Sequence, residues 1–406
     1  MSRQQKGETM SSAKADSGRI VALDVLRGLA VAGMILVTSP GSWDRAYAPL
    51  KHAAWDGWTP ADLVFPTFLF CVGMAIGLSV PRLRAGEGAS AALWIKVARR
   101  TALLIALGLV LNALPSFDLA HLRIPGILQR IGLCYALASA ICILPAKAGP
   151  EGGSRLNVGG VILAIVALLV GYWALLTFTP VPGFGVDRWD SQGALPAFVD
   201  RVVFTIPHLW PYGTTQGVGV TYDPEGLLST LPATVNVLLG AVAATVLART
   251  GDGREGQGRT LAALLALGAA LIVVGLALDP IVPVNKRIWT PSFALFSSGA
   301  SLVALMILHA VLAARPARIA AWPLKVLGGN AILAFVVSQV LGAYAGLTVQ
   351  HRIGVPDLTP QGFGFETAQR LTSDPYLASF LCALAILTLI TAVIAPLDRR
   401  GIHLRL

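Results

Sequence analysis

Apolar stretches of about 20 residues recur from end to end of this chain, separated by polar loops. A helix of that length crosses a hydrocarbon core of roughly 30 Å, at about 1.5 Å per residue. Ten such segments are predicted, at about 20–38, 60–80, 95–114, 124–144, 157–178, 226–248, 259–279, 291–313, 323–345 and 376–397. The pattern is that of an all-α polytopic membrane bundle of about ten transmembrane helices. Residues 20–397 form one membrane domain, between a polar segment over 1–19, predicted disordered, and a short tail over 398–406. No small-residue cleavage site follows the first apolar run, so that run is expected to remain as a span.

Composition agrees. Of 406 residues, 55% are hydrophobic and 13% charged, with a mean hydropathy of +0.70. Soluble domains carry about twice that charged share. A net charge of +10 would suggest nucleic acid in a soluble protein, but here it reads as orientation charge. With the N-terminus inside, 20 Lys and Arg residues fall on cytoplasmic loops and 9 on the opposite side. That excess predicts cytoplasmic N- and C-termini, a lipid bilayer as surroundings and no nucleic-acid partner. Cys71, Cys134, Cys142 and Cys382 lie inside predicted spans without metal-ligand spacing, so neither disulfides nor a metal are expected. The long loops, 39–59, 179–225 and 346–375, all fall on the outer side, which suggests that the protein handles something there.

Three places put charge where the oil should be. After Arg27 the first segment has only eleven residues, Gly28 to Thr38, too few to cross. Asp24 and Arg27 must therefore enter the membrane or its margin, and their i,i+3 spacing lets them neutralise each other. They read either as a snorkelling pair at the headgroups or as part of a polar cavity. Asp62 follows "WTPA" at the start of the second segment, where Thr59 can cap, Pro60 suits the first turn and a carboxylate favours the helix N-terminus. That role suffices structurally, and a functional one stands beside it. Arg130, beside Gln129 in "RIPGILQRIGLCY", needs an acceptor or an anion.

No P-loop, Rossmann fingerprint, HExxH or usable GxSxG occurs. Chemistry must come from scattered polar residues near the outer face. His52, in "KHAAWDGW", is the first candidate, since an imidazole acts as base or nucleophile near neutral pH. A histidine amid Trp43, Trp55 and Trp58 also suits an interfacial belt. Arg123, Gln129 and Arg130 form a second cluster, Asp223 and Glu225 in "YDPEG" a third, and Asp279, Asn285, Lys286, Trp289 and Ser292 in "DPIVPVNKRIWTPSF" a fourth. Each abuts a span, so they could converge on one vestibule; helix capping explains several equally well. Trp189, Trp210, Tyr212 and Tyr222 suit either sugar stacking or an interfacial belt. His121, His208, His309, His351 and His403 have no evident partner in the sequence.

In order, "LDVLRGLAVAGMILV", "PLKHAAWDGWTPADLVFPTFLFCVG", "RIPGILQRIGLCY", "YDPEGLLSTLPA", "PVNKRIWTPSF" and "GGNAIL" resemble the transmembrane heparan-alpha-glucosaminide N-acetyltransferase family, in its bacterial form without the N-terminal luminal domain. The resemblance runs from about residue 20 to 345. It implies transfer of an acetyl group from cytosolic acetyl-CoA to an amine across the membrane, with His52 as the essential histidine. It implies a cell-envelope amino sugar or glycan as acceptor, a bacterial inner membrane as location and a homodimer as the assembly. Asp24, Arg27, Asp62, Arg123, Gln129, Arg130, Asp223, Asn285 and Lys286 would line the donor–acceptor cavity. Asn285, Lys286 or Arg130 would supply an oxyanion donor. Arg82, Arg84, Arg99 and Arg100 would attract the phosphates of CoA or simply set orientation. The alternative is a secondary transporter or exporter whose path Asp24, Arg27 and Arg130 line.

Overall fold

The structure, a computed structural model, describes residues 20–83, 90–149, 152–248, 254–347, 350–352 and 355–403. The predicted disordered segment 1–19, Arg84 and the last three residues lie outside that range, as do the side chains of residues 254–255, 350–352 and 355–358.

In chain order the helices are α1 (Val21–Thr38), α2 (Val64–Ser79), α3 (Ala91–Ala113), α4 (Ile127–Ile143), α5 (Val158–Phe178), α6 (Leu195–Phe204) and α7 (Thr230–Ala248). They continue with α8 (Arg254–Ala277), α9 (Pro291–Val311), α10 (Arg315–Ala320), α11 (Trp322–Gly329), α12 (Ala331–Ala345), α13 (Pro360–Gln369) and α14 (Pro375–Arg399). A 3₁₀ turn, Pro60–Leu63, leads into α2. Among the described residues, sheet is confined to three small antiparallel hairpins: Lys147–Ala148 with Ser154–Arg155, Thr214–Thr215 with Gly219–Val220, and Gln350–Arg352 with Val355–Leu358.

Each of the ten apolar segments falls on a helix. Among the described residues, seven stretches are long and apolar enough to cross a membrane alone: α1, Pro60–Arg82, α5, α7, Gly256–Ala277, α9 and α14. The segment at 323–345 needs correction, because it is not one rod. It is α11 and α12, bent by 88° about Asn330, and counting that pair as one span brings the number to eight. The cause is a close crossing with α1. A Cβ on Gly328 would stand 1.9 Å from the Asp24 carbonyl, and one on Gly28 would stand 1.8 Å from the Leu324 carbonyl. Only glycines let these backbones touch, and the turn at Asn330 (φ −123°, ψ 37°) redirects the chain once past α1.

Glycine sets the other tight pairs too. α2 meets α7 where Gly73 faces the Val237 carbonyl and Gly240 faces the Phe70 carbonyl. With nothing but hydrocarbon outside, such helices associate through backbone approach rather than exclusion of water. α1, α2, α7 and α9 form the buried centre, while α5 and α8 expose Leu163, Val170 and Val273 on their outer faces. The bundle has a basic end, carrying Arg82, Arg100 and the turn after α14. At its other end the long loops gather.

Candidate functional site

The loop-rich end is organised by Asp62. Its carboxylate is almost wholly buried and folds the preceding chain back over itself. Oδ2 accepts the amides of Thr59 at 2.9 Å and Ala53 at 3.1 Å; Oδ1 lies 2.7 Å from Nδ1 of His52. The Thr59 hydroxyl donates to the Lys51 carbonyl at 2.7 Å and closes the loop. A carboxylate can only accept, so Nδ1 of His52 carries the proton and Nε2 keeps its lone pair. The acid that starts the helix is thus the same acid that sets the tautomer of the histidine.

A second loop is stitched to the first. Gly57, whose φ of +91° belongs to the left-handed region, donates its amide to the Val284 carbonyl at 2.7 Å and bridges Asn285 in parallel. Asn285, fully buried, donates to Asp56 at 3.0 Å and accepts the Ile288 amide at 3.1 Å. Trp289 takes a left-handed φ of +53° despite its bulk, held by a bond from its indole to Asn236. Such backbone strain persists only where the surroundings over-determine it. This turn delivers Lys286 to His52.

The Lys286 amine lies 3.2 Å from Nδ1 and 3.3 Å from Nε2. An atom equidistant from both nitrogens in the ring plane would collide with Cε1 between them. Lys286 therefore stands over a face of the imidazole, out of line with the in-plane lone pair of Nε2. The amine also lies 3.7 Å from Asp62. Burial lowers the basicity of His52, the Lys286 charge lowers it further, and the bond to Asp62 opposes both. Burial likewise brings the Lys286 ammonium down to about 8, against the pull of Asp62 and Glu225. The histidine is thus held as a neutral base with a buried cation at its side.

Behind this lies a belt of charge. Arg123 forks onto Asp223 at 2.8 and 2.6 Å and reaches Glu225 at 2.5 Å. Asp223 also accepts the amides of Trp210 and Glu225, both at 2.9 Å. Burial would raise the Glu225 carboxyl, but Arg123, Arg130 and Lys286 outweigh it and hold it low. Arg130 is fully buried, stacks on Trp289 and donates to the Gly226 carbonyl at 2.8 Å and to the Ser229 hydroxyl. Gln129 turns the other way and donates to the Ile124 carbonyl at 3.1 Å.

The Asp24–Arg27 pair, 3.6 Å apart, belongs to the basic end. Arg27 also reaches the Gly328 carbonyl, left free by the bend after α11, at 3.4 Å. Both line a cavity of about 680 Å³ between α1, α2, α3, α4 and the bent pair. Arg82, Arg100 and His403 stand at its basic end; Met34, Phe65 and Ile127 close the other. From Ile20 to Met34 along α1 is fourteen residues, roughly 21 Å of rise. Phe65 sits one turn after Asp62 and packs edge-on against Trp289 at 5.5 Å. Arg99 is exposed and does not line the cavity.

The residues singled out in the sequence thus divide. His52, Asp62, Asn285 and Lys286 meet directly. Arg123, Asp223 and Arg130 form the layer behind them, Gln129 braces the loop before α4, and Asp24 with Arg27 lines the cavity. Three histidines that lacked a partner in the sequence have one: His121 with Asp118 at 2.8 Å, His208 with the Leu122 carbonyl at 2.7 Å, and His403 with Asn330 at 3.2 Å. Two residues at the site escaped the sequence reading. Arg287, next to Lys286, approaches the Ala53 carbonyl, and Asp200 on α6 accepts the Leu227 amide at 2.8 Å. Asp200 is buried, which pushes its carboxyl up to about 7. Its amphipathic helix was hidden in a loop by its short length.

Fold and site together define a polytopic helical membrane protein with a buried carboxylate–imidazole pair at one end and a cavity opening toward the other. Residues 19–187 match the family described as heparan-alpha-glucosaminide N-acetyltransferase, catalytic. Over 369 residues the chain is 30% identical to human heparan-alpha-glucosaminide N-acetyltransferase, covering 80% of this chain and 53% of that protein. The mouse protein of the same name is 29% identical over 373 residues, covering 82% and 55%. The chain belongs to that family, and it spans about half the length of the curated relatives it matches.

Proposed function

We propose that the protein is a membrane acetyltransferase, moving an acetyl group from cytosolic acetyl-CoA to the amine of an amino sugar or glycan on the extracytoplasmic side. The observation that carries this reading is the Asp62–His52 pair, which leaves Nε2 without a proton, one helical turn from the end of a cavity that runs from the basic face. Arg82 and Arg100 at the cytoplasmic mouth suit the phosphates of CoA, and Arg27 with Asp24 lies farther in. The apolar stretch beyond, past Phe68, Val72 and Ile131, suits a slender uncharged arm. The thioester then approaches the membrane face where His52 waits.

At that face the chemistry needs a base and a donor. Nε2 takes the proton of the attacking amine, the C–N bond forms, the C–S bond breaks, and CoA leaves as the thiol once reprotonated. Asp62 holds the imidazole in the tautomer that makes this possible and stabilises the imidazolium that follows. The Lys286 ammonium, over the ring, is the nearest cation to a developing oxyanion. The same lone pair could instead take the acetyl group first. Exchange of label between CoA and acetyl-CoA without acceptor separates the two routes.

Replacing His52 by alanine tests the whole reading. Transfer of label from acetyl-CoA to glucosamine is expected to fall at least 100-fold, with CoA binding retained. Full activity in that variant refutes the proposal. Solute flux through reconstituted protein without acetyl-CoA supports a transporter instead.

A further inference from the structure

Two arginines flank the indole of Trp210. The guanidinium of Arg123 lies 5.7 Å from the ring centroid and that of Arg287 lies 5.5 Å from it. Their charges are balanced differently. Arg123 is neutralised by Asp223 and Glu225. Arg287 has no carboxylate in ion-pair reach among the described residues, and its one hydrogen bond is a long 3.4 Å contact to the Ala53 carbonyl, the residue after His52. It is only half-buried, and its contact with Ala53 places it beside the loop that carries His52. A guanidinium held against an aromatic ring, with most of its donors uncommitted, is shaped to take an oxyanion through two parallel bonds.

We propose that Arg287 determines acceptor specificity by binding a sulfate, carboxylate or phosphate group carried by the amino sugar whose amine meets Nε2 of His52. The inference rests on the acetyl-transfer reading for the role of that amine. It also accounts for two cations beside the base. Lys286 and Arg287 together disfavour the ammonium form of an acceptor, which cannot attack, and an anionic substituent restores the attraction that the sugar would otherwise lose.

The test compares binding of glucosamine 6-sulfate, glucosamine and free sulfate to the full-length protein in detergent, by titration calorimetry. The wild type is expected to hold the sulfated sugar about tenfold more tightly than glucosamine, and free sulfate more weakly than either. In Arg287→Gln the preference is expected to vanish, through weaker binding of the sulfated sugar. Where that variant does not fold, Arg287→Lys keeps the charge but loses the fork and the stacking, and the preference is expected to drop several-fold. Equal affinity for the two sugars in the wild type, or an unchanged preference in either variant, overturns the assignment. So does free sulfate binding as tightly as the sulfated sugar, which would make the site a general anion site. Failure of acetyl transfer to both sugars, with the binding preference intact, refutes the acetyltransferase reading and leaves the anion site standing.

Discussion

Asp62→Asn separates the structural and chemical duties of one residue. The amide that replaces the carboxylate has one acceptor and one donor face, and the structure decides which way it points. Oδ2 receives two backbone amides, from Ala53 and Thr59, so an NH₂ group there would face two donors. The amide oxygen therefore takes that position, and the NH₂ group turns to Nδ1 of His52. It then donates where Asp62 accepted, and the ring proton moves to Nε2. Reaching the working tautomer again means losing that hydrogen bond, about 1 kcal/mol, and leaving two donors facing each other, about 1–3 kcal/mol. Together these are about 2–4 kcal/mol, or a rate loss of about 30- to 1,000-fold at about 1.4 kcal/mol per decade. The assay is transfer of label from acetyl-CoA to an amino sugar at saturating donor, with thermal unfolding and CoA binding measured alongside. Both controls are expected to change little, because the loop keeps its two amide bonds. A folded variant that retains activity within about threefold would show that the tautomer of His52 is immaterial and sink the reasoning.

Other consequences concern charge and packing. Since burial and Lys286 depress His52, its free base survives to lower pH, so the rising limb of activity is expected below pH 6.5, with a decline above about 8 as the Lys286 ammonium is lost. Lys286→Met removes the cation from the ring face and is expected to move the rising limb upward; an unmoved limb in a pH–rate profile contradicts the stacking geometry. Gly73→Ala forces a Cβ to within 1.7 Å of the Val237 carbonyl, which neither helix backbone can yield. Its expected destabilisation is about 3 kcal/mol or more, read as lost folded protein or a lowered unfolding temperature in detergent, whereas Gly171→Ala, where nothing lies near, serves as the neutral control.

Much of this molecule was legible along the chain because a membrane imposes a one-dimensional rule. Backbone polar groups have no solvent partner in lipid, so each crossing must be a helix of fixed length, and hydropathy finds it. The same rule exposed Asp24 and Arg27: eleven residues are too few to cross, so those charges had to be used. His52, Asp62, Asn285 and Lys286 stood out as polar residues abutting such helices.

What the pattern could not carry was their mutual geometry. His52 and Lys286 are 234 positions apart, and what joins them is a glycine amide on a distant carbonyl and an asparagine reaching Asp56. Asp62 read alone was a sufficient helix start, and its bond to His52 was invisible because one carboxylate has two oxygens and the sequence shows only one use. Arg287 passed as loop charge until Arg123 proved to be paired and Arg287, among the described residues, not. The bend in the 323–345 segment had the same origin, since only the crossing with α1 makes Gly328 obligatory. Sequence by itself determined where the long apolar helices lie, through the length and polarity that lipid enforces. Tertiary structure decided the site, because hydrogen-bond partnership, tautomer and charge balance are properties of distances between residues far apart in the chain.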